Sequence, residues 1–170
     1  PQDRDVLRLR SRLDQGEHGG PLDEADAQRR GDGRRQLVPG RVAGVAPRKL
    51  TLTMRGQPTR PGDEPANGFA LTEGSDGPKD AAASVPGPTL VLRRGEPVEI
   101  TLVNRLTEAT AIHWHGMELD SYYDGVHGWS GLGTRVTPLI EPGETFVVRF
   151  TPPRTGTFIY HTHLHDHRQL

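Results

Sequence analysis

The chain contains no cysteine. That absence excludes disulfides, a thiolate nucleophile, an iron–sulfur cluster and a cysteine-based structural zinc site. It also excludes, within this chain, a blue-copper centre built from two histidines and a cysteine. Apolar residues are scarce, at 32% of the 170 residues, and aromatic ones scarcer still at 5%, so part of the chain is not expected to join a packed core. No apolar run approaches the ~20 residues of a membrane-spanning helix. The formal net charge is only −1, but residues 1–60 hold 13 Lys/Arg against 8 Asp/Glu, and residues 61–170 hold 8 against 14. The basic half mixes both signs and lacks an aromatic platform, which reads as solvated surface and not as a nucleic-acid patch. No internal repeat and no signal peptide are visible. A first residue of Pro1 is what a processed, trimmed or fragmentary chain would show.

What the chain does have is 21 glycines and 15 prolines, set between short alternating segments. That pattern predicts an all-β, loop-rich sandwich. Val6 to Arg10 reads as the end of a strand, after which residues 14–36 lose all periodicity. Leu50 to Met54 alternates between Pro47 and Gly56 and reads as a strand. Residues 57–88, with one apolar island at Phe69-Ala70-Leu71, read as a long excursion between strands. From Pro86 onward the signals sharpen, with strands expected at 89–92, 98–104, 111–117, 145–150 and 157–163. A glycine-rich loop spans Asp124 to Gly133. The division that follows is 1–46, an irregular N-terminal segment or the end of a preceding domain, and 47–170, the sandwich.

Seven of the eight histidines lie between His113 and His167. His113-Trp114-His115 and His161-Thr162-His163 each place two imidazoles at i, i+2, the spacing that aims both at one face of a strand. A lone histidine is usually surface or satisfied core, and His18 in its polar loop is read that way. Two couplets beside residues suited to burial (Ile112 and Trp114, Ile159 and Tyr160) are harder to read so, because converging imidazoles need a shared partner. A metal supplies one. Spacing alone leaves copper, zinc, iron and nickel open.

An ordered run of motifs then narrows the choice. Pro86-Gly87-Pro88-Thr89 is followed by Arg94-Gly95-Glu96, Val103-Asn104-Arg105-Leu106 and His113-Trp114-His115-Gly116. Asp124-Gly125-Val126, Pro138-Leu139-Ile140 with Pro142-Gly143, and Gly156 through His163 complete it. From Val85 to Leu170 the chain resembles the first cupredoxin domain of the multicopper oxidases, the laccase and ascorbate oxidase family. The first 40 residues share none of this pattern.

The resemblance implies a cupredoxin-like Greek-key β-sandwich, truncated before its last strand. It implies an oxidoreductase that couples one-electron oxidation of a small reducing substrate (a phenol, amine or metal ion) to four-electron reduction of dioxygen to water. Copper is the implied cofactor, as type 2 and type 3 ions of a trinuclear cluster. His113 would serve the type 2 copper, His115 and His161 one type 3 copper, and His163 the other. Asp124 would assist proton delivery, although a plain turn residue before Gly125 is an equal reading. The family's HxxHxH and HCHxxxH motifs, which supply the other ligands and the type 1 copper, are not in this sequence. Half a cluster is therefore expected, inactive alone, with the remaining cupredoxin domains as partners, in the same polypeptide or another subunit. Family habit implies an extracytoplasmic compartment. The chain departs from the family at His127, His165 and His167; the last two read as exposed loop histidines, with an adventitious metal site or a set that orients the true ligands as alternatives. A non-catalytic copper-binding or copper-tolerance module and a zinc-bound structural sandwich stand as alternatives.

Overall fold

The computed structural model describes residues 5–11, 45–58, 65–75 and 81–164. Their strands are β1 (Val6–Ser11), β2 (Arg48–Gln57), β3 (Ala66–Glu73), β4 (Leu90–Arg93) and β5 (Val98–Arg105). β6 (Ile112–His115), β7 (Gly131–Leu132), β8 (Arg135–Val136), β9 (Thr145–Phe150) and β10 (Gly156–Thr162) follow. One sheet has the order β4-β1-β10-β6, the other β3-β2-β5-β9, and β7 with β8 makes a small hairpin. Among the described residues the one helical element is a 3-10 turn at Ser121–Tyr123, and no helix is long and apolar enough to cross a membrane. The expected all-β sandwich is the observed one.

Alternation builds the core. In β5 every second residue from Val98 to Asn104 is buried, and the intervening ones are half-exposed. Leu7, Leu9, Leu90 and Leu92 from one sheet meet Leu50, Leu52, Ile100 and Leu102 from the other in a single apolar cluster. Two aromatic contacts cross between the sheets. Phe69 stands edge-on to Tyr160 with ring centroids 5.1 Å apart, and Trp114 lies 6.3 Å from Phe150.

Two segments differ from the sequence reading. Val6–Ser11, read as the end of a strand, is a strand inside the first sheet, parallel to β10 and antiparallel to β4. Residues 6–11 of the expected N-terminal segment thus join the sandwich, while 12–44 lie outside the described residues. The excursion at 57–88 contains β3, whose Phe69 pairs with Met54 of β2. Asn67, Gly68 and Glu73 have poor strand propensity, which hid it. Gly68 suits the position, since a Cβ there would come 2.6 Å from the Gln57 side chain.

Two polar residues hold loops to the sandwich. Asn104 is fully buried, and its amide is used completely. Nδ2 donates to the carbonyls of Glu108 (2.8 Å) and Ile140 (2.7 Å), and Oδ1 accepts from the Leu106 N–H (2.9 Å). This ties the end of β5 to the loop that enters β6. The Tyr160 hydroxyl donates to the Pro88 carbonyl at 2.7 Å, and burial pushes its pKa up, which keeps the donor protonated. Gly87 passes so close that a Cβ would lie 2.6 Å from that hydroxyl and 2.8 Å from the Phe69 ring.

Asn104→Leu should therefore destabilise the chain by about 2–4 kcal/mol, because buried backbone groups lose their partners. Gly87→Ala should cost about 1–3 kcal/mol through overpacking. Urea unfolding followed by tryptophan fluorescence measures both. An unchanged midpoint in Asn104→Leu would show that its three hydrogen bonds hold nothing in place.

Candidate metal centre

β6 and β10 pair antiparallel, with Tyr160 opposite Trp114, His161 opposite His113 and Ile159 opposite His115. Ile112, Trp114, Tyr160 and Thr162 point inward and are at most 1% exposed. The alternate residues, all imidazoles but for Ile159, therefore stand on the outer face of the sheet. His163 follows β10 and extends the ladder by one step, its N–H donating to the Ala111 carbonyl at 2.8 Å. Trp114 is the wedge between the first two rings. Its burial in the core holds His113 and His115 on the other side.

All four imidazoles predicted from the sequence come together. The His113 ring centroid lies 4.4 Å from that of His115, 5.6 Å from His161 and 5.9 Å from His163. His115 and His161 are stacked at 4.9 Å. His161 is buried, His113 and His163 are half-buried, and His115 is exposed. The cluster is thus open to solvent on one side.

Backbone carbonyls fix two of the rings. Asp124 O lies 2.7 Å from His113 Nδ1, and Thr162 O lies 2.6 Å from His161 Nδ1. A carbonyl can only accept, so each Nδ1 carries the proton and each Nε2 carries the lone pair. This is the arrangement that orients a metal-binding histidine through its far nitrogen. His115 Nε2 sits 2.9 Å from His161 Nε2. Two metal–nitrogen bonds of ~2.0–2.1 Å meeting at ~90–110° place their nitrogens ~2.8–3.4 Å apart, so this pair fits one shared ion. Among the described residues no three His, Asp or Glu groups converge as a ligand set for a single ion.

The loop from Asp124 to Val136 serves His113. Asp124 closes the 3-10 turn, and its carbonyl accepts from both His113 Nδ1 and the Trp114 N–H. Gly125 has φ +90°, and a Cβ on it would overlap the Ile112 carbonyl. Only glycine brings the loop this near to β6. The Asp124 carboxylate is 3.6 Å from His113 Nδ1 and accepts from Ser130 Oγ at 2.8 Å. Ser130 is buried, and it also accepts from the Val126 N–H. Sequence reasoning missed Ser130, because a serine in a glycine-rich loop carries no signal of its own. His127 turns away from the cluster, its Nδ1 donating to the Thr137 carbonyl at 3.1 Å. His18, His165 and His167 lie outside the described residues.

The multicopper oxidase family model matches residues 81–170. Copper resistance protein A of Escherichia coli is 40% identical over 85 residues, which is 50% of this chain and 13% of that protein. L-ascorbate oxidase of Cucurbita maxima is 41% identical over 80 residues, covering 46% of this chain and 13% of its own length. The crystal structure of a multi-copper oxidase from Pseudomonas Thermotolerans superposes with a TM-score of 0.48 at 26% identity, over 74% of this chain and 26% of that one. The chain spans about an eighth of the length of the curated relatives it matches. With the family model covering more than half of its residues, the chain belongs to the multicopper oxidase family.

Proposed function

We propose that this chain supplies half of a trinuclear copper site in a laccase-like multicopper oxidase. The observation that carries the reading is the outer face of β6 and β10, where four imidazoles meet and His115 and His161 turn their Nε2 atoms toward each other. On this reading His113 binds the type 2 copper, His115 and His161 share one type 3 copper, and His163 binds the other. These imidazoles would hold copper, which when bound would relay electrons from the reducing substrate to dioxygen.

The chain's own residues do the rest. Asp124 O and Thr162 O hold the protons on Nδ1, so that both rings present Nε2 outward. The Asp124 carboxylate, steadied by Ser130 beside His113, is placed to take up and release protons at the edge of the face. Trp114 and Tyr160 keep the sheet rigid beneath the rings. The complementary ligands come from further cupredoxin domains, and the reducing substrate is a small phenol, amine or metal ion. An extracytoplasmic setting goes with this reading. A second reading, copper holding without turnover, is favoured by the open exposure of His115 and by the resistance-protein name of one relative.

In the complete oxidase, His115→Ala or His161→Ala should abolish dioxygen reduction while leaving the blue type 1 band. Oxygen-electrode traces with parallel absorption spectra test this. Retained consumption in either variant refutes the ligand assignment, and copper that binds without any oxygen consumption in the parent favours the holding reading. Gly125→Ala should lower stability by about 2–4 kcal/mol, since the loop must retreat from Ile112. It should also loosen His113, read as a changed electron paramagnetic resonance signal of copper bound to this chain.

A further inference from the structure

His115 is the last residue of β6, and β6 is the outermost strand of its sheet. A strand end at a sheet edge is where a ladder opens most easily. Yet it is this exposed residue whose Nε2 lies 2.9 Å from His161 Nε2. The chain just beyond it therefore needs an anchor.

Arg154, in the turn before β10, supplies one. Its Nη2 donates to the Gly116 carbonyl at 2.8 Å, and its Nε donates to both carboxylate oxygens of Glu118 at 2.9 Å. Its guanidinium carbon stands 4.4 Å from the centre of the Phe158 ring, within cation–π range. Phe158 is buried, and a Cβ on Gly116 (φ +73°) would touch the same ring at 3.4 Å. Arg154, Gly116, Glu118 and Phe158 thus pack as one clasp over the exit from β6 and the start of β10. Because β10 also carries His161, the clasp ties the two histidine strands together outside their ladder.

Stability alone does not account for this arrangement. The Arg154 and Glu118 side chains are 49% and 59% exposed, and an ion pair that wet contributes little to folding. We infer that Arg154 is a positioning residue for His115. It pins the backbone at Gly116, so that the His115 ring keeps its place beside His161 before any ion arrives. A ring left loose has to be ordered on binding, and that ordering costs affinity. Lysine cannot replace it, because a point charge cannot donate to a carbonyl and a carboxylate from one plane while stacking on a ring. The inference rests on the reading of His115 as a copper ligand.

The test compares Arg154→Lys and Arg154→Gln in the 170-residue chain. Arg94→Gln is the control, since Arg94 makes an exposed ion pair with Asp5 beside β4, at the other edge of the same sheet. Amide chemical shifts verify the fold of each variant. In the metal-free chain, nitrogen relaxation of the imidazoles should show a more mobile His115 ring in both Arg154 variants and parent behaviour in the control. Parent-like His115 motion in both Arg154 variants overturns the positioning role, whatever copper does. Titration with Cu(II), followed by electron paramagnetic resonance, should show about tenfold weaker binding and a changed nitrogen hyperfine pattern in the same variants. Parent affinity with the parent spectrum overturns it as well. A parent chain that binds no copper through imidazole nitrogen overturns the ligand reading instead, and the ring relaxation still decides the clasp.

Discussion

Where β6 meets β10, Tyr160 lies opposite Trp114 and His161 opposite His113, and the period of two does the rest. The large apolar rings fall on the core side and the imidazoles on the outer side, so one register both packs the core and gathers the imidazoles on one face. A slip by a single residue would put Trp114 into water and imidazoles into the apolar core. Such a slip forfeits the burial of two aromatic side chains, each worth several times the energy of a ladder hydrogen bond. The core therefore enforces the geometry of the face. The other devices at the site depend on this register. The Asp124 carbonyl can reach His113 only because β6 presents that ring outward, and Gly125 can approach Ile112 only because the strand edge is bare there.

Much of this was legible in the chain itself. Alternation in 98–104 and 145–150 marked strands correctly, and the couplets at 113/115 and 161/163 announced their common face through i, i+2 spacing. What stayed hidden has physical reasons. β3 carries Asn67 and Gly68, which disfavour strands in isolation, and Gln57 and Ser84 crowd Gly68 so closely that it has no room for a Cβ. Val6–Ser11 looked marginal because its partners lie at 90–93 and 156–160, and no local window shows them. The roles of Ser130 and of the Asp124 and Thr162 carbonyls depend on loop closure, which residue type does not encode.

The hydrogen bonding also separates two tasks. Backbone carbonyls set the tautomer and orientation of His113 and His161, leaving the Asp124 side chain for other work. A carbonyl carries no net charge, so it orients a ring without placing a negative charge beside it. Asn104 applies the same economy where a single neutral amide fixes two backbone groups of the loop before β6 and one of the segment before β9.

β1 has a consequence for how the molecule assembles. It lies between β4 and β10, so the histidine-bearing sheet closes only when segments from opposite sides of almost the whole sequence meet. Contacts of such long sequence separation form slowly, because loop-closure entropy is lost before any burial is gained. The second sheet, held by the β2–β3 hairpin and the β5–β9 pair, can form without β1 or β10. The complete four-stranded sheet is thus a late product of folding, whereas β6 and β10, which carry the imidazoles, pair with each other without β1.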